Sequence, residues 1–220
     1  MQTKRTIAII GASGNMGSAI AKSLAKGGDR LLLISKEQEK VAELKRSIAE
    51  EYPLADIEGM ACPMHASWEA DIIILATPYE AQAEIADSIR EVANQKIVIS
   101  IANPLNATYD ALVTKPDSSA AEELQALLPH AKVVKAFNTS YAANFAHTVI
   151  DGKQTDAFIA GNNEAALETT AELVKTTGFN PIIAGKLSVS RTLEAMQLLL
   201  IQLTMKYNYN WLAGWKILHK

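Results

Sequence analysis

Apolar and polar positions along the chain alternate between two rhythms. Residues 6–10 read Thr-Ile-Ala-Ile-Ile, a short run with no polar residue after the first. A strand covered on both faces has this composition, because neither face meets water. Residues 15–26 then carry Met16, Ile20 and Leu24 at helical spacing, and Gly27-Gly28 ends that helix. The same alternation follows. Residues 31–34 predict a second strand. Residues 37–51 predict a charged helix with Val41, Leu44 and Ile48 on one face, and Pro53 marks its end. A weak third strand at 57–60 and a strong fourth at 71–76 come next, the latter closed by Thr77-Pro78. Residues 80–92 read as helix, 96–101 as strand, 118–128 as helix and 133–137 as a sixth strand.

Strands alternating with helices imply right-handed crossovers and a parallel sheet. The expected fold class is α/β, a Rossmann-type doubly wound parallel sheet with a small C-terminal α/β extension. The extension is read as a strand at 156–160, a helix at 163–177, a strand at 181–184 and a long helix from Ser188. A soft boundary near residue 150 separates a nucleotide-binding domain (1–150) from the extension (151–220), the two packed as one unit. In the last helix Val189, Leu193, Met196, Leu200 and Leu203 share a face, and Leu198, Leu199 and Ile201 widen the apolar surface. A helix apolar on several sides needs a second surface to cover it. The expectation is a homodimer through this helix, with Trp211 and Trp215 one turn apart as anchors. The competing expectation is a helix clasped inside its own subunit. Ser188 is a plausible helix cap, and Arg191 is placed to pair with Glu194.

The first junction between strand and helix carries the chemistry. Gly11-Ala-Ser13-Gly14-Asn15-Met16-Gly17 has the form G-x-x-G-x-x-G. Gly11 allows a tight turn off the strand, Gly14 leaves room for a pyrophosphate, and Gly17 allows close helix packing. The helix start then offers unpaired N–H groups and a positive dipole end to phosphates. At the tip of the second strand, Ser35 and Lys36 stand where NAD-binding chains usually have a carboxylate, and Lys40 lies one turn on. A hydroxyl and two cations there favour the 2′-phosphate of NADP(H), although Lys36 and Lys40 also suit a solvated charged helix. No Tyr-x-x-x-Lys exists in the chain, which disfavours the short-chain dehydrogenases.

Composition narrows the class further. The net charge of −3 over 220 residues leaves no basic stripe for nucleic acid or anionic lipid. One cysteine, Cys62, excludes a disulfide framework. The histidines at 65, 130, 147 and 219 have no metal-ligand spacing, so no metal is expected. Neither a targeting segment nor an apolar run long enough to span a membrane is visible, so the expectation is a soluble cytoplasmic protein.

The ordered set Gly11–Gly17, Ser35-Lys36, Ala76-Thr77-Pro78, Lys135-Ala-Phe-Asn-Thr139 and Leu187-Ser-Val-Ser-Arg191 resembles the coenzyme F420-dependent NADP oxidoreductase family. That family is related to pyrroline-5-carboxylate reductase and to the NADPH-oxidising domain of the STEAP metalloreductases. The resemblance covers nearly the whole chain. It implies that Ser13, Gly14, Asn15 and Met16 hold the pyrophosphate, that Ser35, Lys36 and Lys40 hold the 2′-phosphate, and that Thr77 and Pro78 line the nicotinamide ribose. It also implies hydride transfer between NADPH and a flavin-like ring.

Such a transfer asks little of side chains beyond orientation and exclusion of water. Asn103 and Asn138, just past strand ends, are candidates to orient a carboxamide or planar ring; each also suits a loop tie. The loop Ser100-Ile-Ala-Asn103-Pro104-Leu-Asn106 departs from the apolar loop of the family's archaeal enzymes, which leaves FMN, FAD and F420 open as the small-molecule acceptor. No catalytic acid or base is assigned. The alternatives are an NADP(H)-binding sensor that turns nothing over, and an imine or carbonyl reductase.

Overall fold

All six strands expected before residue 150 form, and they pair in parallel. They are β1 (Thr6–Ile10), β2 (Arg30–Ile34), β3 (Ile57–Met60), β4 (Ile72–Leu75), β5 (Ile97–Ser100) and β6 (Lys132–Lys135), in the spatial order β3-β2-β1-β4-β5-β6. The computed structural model describes residues 4–219. The strand order reverses between β1 and β4, and a crevice opens at the carboxyl ends of the strands at such a reversal.

Helices α1 (Asn15–Leu24), α2 (Gln38–Glu51), α3 (Pro63–Glu69), α4 (Gln82–Ile89) and α5 (Ala120–Leu127) cover the two faces. Ile7, Ile9, Leu31 and Leu33 pack with Ile20, Leu24, Val41 and Ile48 on one side. Ala8, Ile10, Leu32 and Ile34 pack with Ala86, Ile89, Ala121 and Leu124 on the other. Alternate residues thus enter different cores, which is why the strands read as unbroken apolar runs. The short α3 was not legible as a helix. Only Ala66 and Ser67 of its seven residues are buried, too few to show a period.

Beyond residue 150 the sheet continues. Strand β9 (Asp156–Gly161) lies antiparallel to β6, and β10 (Asn180–Gly185) lies parallel to β9. The result is one eight-stranded sheet that crosses residue 150. Between β6 and β9 a small hairpin, β7 (Val149–Ile150) and β8 (Lys153–Gln154), turns through Asp151 and Gly152, both at positive φ. Helix α6 (Glu164–Thr176) sends Ala166, Leu173 and Val174 into the core that α1 also enters.

The last helix, α7 (Ser190–Tyr207), differs from expectation in three ways. It starts at Ser190 after a single 3-10 turn, and no side chain caps it, so Ser188 is not its cap. Its buried face is Ser190, Leu193, Glu194, Gln197, Leu200, Ile201 and Thr204, a stripe more than half polar. It ends at Asn208 (φ 54°), so Trp211 and Trp215 do not lie one turn apart on a helix. Arg191 pairs with Glu122 at 2.6 Å, because Glu194 points inward to Lys135.

The segment after α7 is strapped to β9. Asp156, 1% exposed, accepts hydrogen bonds from the Lys216 ammonium (2.8 Å), the Ile217 N–H (2.6 Å) and the Asn180 amide (2.6 Å). Burial works to raise the Asp156 carboxyl, but these donors outweigh it and hold it below its ordinary value. The strap therefore contributes stability at neutral pH and loses it as pH falls through that lowered value.

Candidate functional site

The three glycines of the first turn have different jobs. Gly11 sits at φ 91°, and a Cβ there would run into the Ala76 carbonyl. A Cβ on Gly17 would strike the Gly11 carbonyl and come within 2.9 Å of the Ala12 Cα. Gly17 thus closes the turn on itself rather than packing α1 against a strand. Around Gly14 the only neighbour of a Cβ within 4 Å among the described residues is the Gly11 oxygen at 3.3 Å. Two glycines are demanded by the chain, and the third leaves a space the chain does not fill. Gly14 also stands at the start of α1 with no side-chain cap, so the first N–H groups of a ten-residue helix are available to an anion. The turn is tied to β2 by the Gly11 and Ala12 N–H groups, which donate to the Ile34 carbonyl at 2.8 and 3.0 Å.

Two cavities flank this turn. The first, about 660 Å³, is lined by Gly11, Ile34, Ser35, Lys36, Thr77, Pro78 and Ile85 among others. At its rim the Ser13 and Ser35 hydroxyls lie 2.6 Å apart. The Lys36 ammonium is 93% exposed and 3.5 Å from Glu84 on α4. Lys40 is 2.5 Å from Glu37, whose other oxygen accepts from Ser13 at 3.2 Å. The Lys40 ammonium holds the Glu37 carboxyl below its ordinary value. Ser13, Ser35 and Lys40 are therefore gathered around Glu37 at one corner, and Lys36 reaches from the same rim toward Glu84. Thr77 and Pro78 line the same cavity, beneath the turn. Glu37 was read only as part of a charged helix.

A second cavity of about 430 Å³ lies on the side of β5 and β6. Asn15, Met16, Ile101, Asn103, Tyr109, Asn138, Tyr141, Gln197 and Trp211 line it. Asn103 and Asn138 are brought together here, but their donors are spent locally. The Asn103 amide donates to the Asn138 carbonyl at 2.9 Å; the Asn138 amide donates to Asn103 Oδ1 at 2.9 Å and to the Leu193 carbonyl at 3.1 Å. The loop-tie role is thus real. Pro104 follows a trans peptide bond.

The same wall carries two buried acceptors without a partner among the described residues, Asn138 Oδ1 and Gln197 Oε1. Such an acceptor costs about 1–3 kcal/mol unless a donor arrives. Phe137, fully buried at φ 63°, makes the turn that delivers Asn138 to the wall. Tyr141 meets Trp211 edge-on at 5.5 Å and donates to Thr204 at 2.8 Å. Gln197, Tyr109, Tyr141 and Trp211 were not singled out as site residues. The one available signal was Gln197, an amide between Met196 and Leu198 in the most apolar stretch of the last helix.

Behind this wall lies a buried ion pair. The Lys135 ammonium at the end of β6 is 2.6 Å from Glu194 on α7, and both side chains are 0% exposed. Lys135 also donates to the Ala102 carbonyl, next to Asn103. Glu194 accepts from the Ala120 N–H at 3.1 Å. Burial pushes the Lys135 ammonium down from its ordinary value, and Glu194 opposes that. Tyr79, beside Pro78, is pushed up to about 12 by burial and by Glu123, to which it donates at 2.5 Å.

The profile of the family described as "NADP oxidoreductase coenzyme F420-dependent" matches residues 6–104. An F420-dependent NADP reductase of Methanocaldococcus jannaschii is 32% identical over 213 residues, covering 91% of this chain and 93% of that one. The metalloreductase STEAP3 of Rattus norvegicus is 27% identical over 89% of this chain and 37% of its own length. A solved structure from Arthrobacter, described as a proposed F420-dependent NADP reductase, superposes with a TM-score of 0.83 at 24% identity, covering 98% of this chain and all of that one, and so shares the fold. Sheet order, glycine turn and 32% identity over 91% of the chain agree: the chain belongs to the F420-dependent NADP reductase family, whose members are oxidoreductases.

Proposed function

We propose that the chain transfers a hydride between NADP(H), seated across the glycine turn, and the deazaflavin F420 in the cavity beside β5 and β6. The observation that carries this reading is the pair of cavities on either side of one helix start, at the carboxyl edge of the sheet. The ligands fit the residues present. Gly14 leaves an open cradle, and Asn138 and Gln197, whose buried Oδ1 and Oε1 accept no hydrogen bond from the described residues, line the second cavity. A nicotinamide carboxamide and a deazaflavin ring both carry N–H donors. When bound, the two ligands supply the hydride chemistry itself.

Every other task falls to the chain. Ser13, Gly14, Asn15 and Met16 hold the pyrophosphate against the start of α1. Ser35, Lys36 and Lys40 take the 2′-phosphate. Thr77 and Pro78 support the ribose nearer the nicotinamide. Asn103 fixes Asn138, whose free oxygen orients the carboxamide. Tyr141 and Trp211 offer flat faces to a planar acceptor and keep water from it.

Replacement of Lys36 by Ala tests the 2′-phosphate assignment by calorimetry. The ammonium is exposed, so the expected loss is modest, about threefold to tenfold for NADPH. NADH affinity should not change. An equal loss for both cofactors would contradict the assignment.

A homodimer is part of the same proposal. Leu199 and Met205 on α7 are 45% and 57% exposed, and Trp211, Leu212, Ile217 and Leu218 after it are exposed as well. Pairing about a two-fold axis would cover exposed apolar side chains of this kind on both copies. Leu200 is no probe of that interface, since it packs with Tyr141 and Ile201 in its own subunit. Light scattering should give twice the chain mass of 23.8 kDa, and Leu199→Glu should halve it. The chain mass alone in the unaltered protein would refute the dimer. A cytoplasmic setting belongs to this reading because the reaction draws on an NADPH pool; among the described residues no helix is long and apolar enough to cross a membrane.

A further inference from the structure

The corner assigned to the 2′-phosphate is not a bare positive patch. Lys40 lies 2.5 Å from Glu37, and Lys36 lies 3.5 Å from Glu84. Each cation in the corner already has a carboxylate. Glu37 goes further than charge balance. One of its oxygens takes Lys40 and the other takes the Ser13 hydroxyl at 3.2 Å, while its own N–H donates to Ser35 at 3.2 Å. Ser13 and Ser35 in turn share a hydrogen bond. The carboxylate therefore occupies the donors that a phosphate at this corner would need.

We propose that Glu37 is a specificity-determining residue, an internal anion that fills the 2′-phosphate seat and must be displaced by NADP(H). The proposal rests on the assignment of Ser13, Ser35 and Lys40 to that seat. The physical reason is a conflict of like groups. A 2′-phosphate brings between one and two negative charges and acceptor oxygens only. An ionised carboxylate is also acceptor-only, so the two cannot satisfy each other. Both compete for the Lys40 ammonium and the Ser13 hydroxyl.

Displacement is structurally easy. Glu37 is exposed, precedes the first residue of α2, and makes no side-chain cap to that helix. It can rotate into water without uncovering any core. A ribose 2′-hydroxyl meets the opposite situation. It is a donor, and Glu37 is a ready acceptor. The same carboxylate thus lowers affinity for the phosphorylated cofactor and raises it for the unphosphorylated one. Glu37 narrows a preference that Lys36 and Lys40 would otherwise make steep, and it helps NADP(H) leave.

The test uses the full-length protein and two fragments that report on this corner alone, 2′,5′-ADP and 5′-AMP, titrated by calorimetry. Glu37→Gln keeps the size of the side chain and removes its charge. Relief of repulsion at about 4–5 Å in a solvated corner is expected to tighten 2′,5′-ADP by about fivefold to tenfold. Binding of 5′-AMP should stay equal or weaken. Equal tightening of both fragments would overturn the proposal, since a general charge effect would then explain it. Unchanged or weaker 2′,5′-ADP binding in Glu37→Gln, with Lys36→Ala still weakening it, would overturn the role of Glu37 and leave the seat intact. If the unaltered protein does not distinguish the fragments and neither variant separates them, the seat itself is wrongly assigned and both readings fall.

Discussion

Glu194→Gln is expected to destabilise the chain by about 3–5 kcal/mol, the cost of leaving one buried charge without its partner. The change is nearly isosteric. The Gln oxygen can still accept from the Ala120 N–H, so what is lost is the counter-charge of Lys135, itself 0% exposed. Domains of this size have about 5–15 kcal/mol in total, so the loss should show as a large fall in the urea midpoint. The double variant Lys135→Met with Glu194→Leu should recover most of it, because well-packed apolar residues replace buried ion pairs at little cost. A single variant as stable as the parent would mean that the pair is not buried as described. Lys135 also donates to the Ala102 carbonyl, so the single variant should loosen the Asn103 loop and weaken binding in the second cavity.

Gly14→Val is expected to separate folding from binding. A side chain at Gly14 meets only the Gly11 oxygen, at 3.3 Å, among the described residues, a contact relieved by a shift of a few tenths of an ångström, so the urea midpoint should move little. Cofactor affinity should fall by about 100-fold or more, since the branched side chain bars the phosphates from two or more N–H groups worth about 1.5–3 kcal/mol each. Gly17→Ala should do the reverse. Its Cβ meets the backbone of Gly11 and Ala12, so the fold suffers first. Calorimetry with NADPH beside urea unfolding distinguishes the two. Undiminished NADPH affinity in Gly14→Val would remove the cradle from the account.

Most of the fold was legible in the chain. The strands β1, β2 and β4 are unbroken apolar runs because both of their faces are covered, and that composition is visible without a structure. The glycine turn was legible for the same local reason, since the backbone needs of Gly11 and Gly17 are written within seven residues. The roles of Asn103 and Asn138 were half legible. Their place after strand ends was evident, but the exchange of hydrogen bonds between them depends on two loops 35 residues apart.

What failed was non-local. Lys135 reads as an ordinary strand residue until Glu194 arrives from α7, and Glu194 seemed free to pair with Arg191. The end of α7 was lost because Asn208 adopts a left-handed conformation that no glycine announces. Beyond it, Trp215 takes its position from the strap on Asp156 and Trp211 meets Tyr141 edge-on, neither following a helical period. Glu37 was hidden by its surroundings, since a glutamate among Lys36, Glu39 and Lys40 looks like any solvated helix face.

The most direct test of hydride transfer between the two cavities follows a label. NADPH deuterated at its transferring position is incubated with the protein and F420, and the reduced deazaflavin is analysed by mass spectrometry. The account predicts loss of the deazaflavin's visible absorption, one equivalent of NADPH consumed per F420, and one deuterium retained in the product. FMN, FAD and ferric chelates should support little NADPH oxidation in parallel reactions. NADPH that binds at the glycine turn yet passes no label to F420, or passes electrons only to FMN or FAD, would contradict the account.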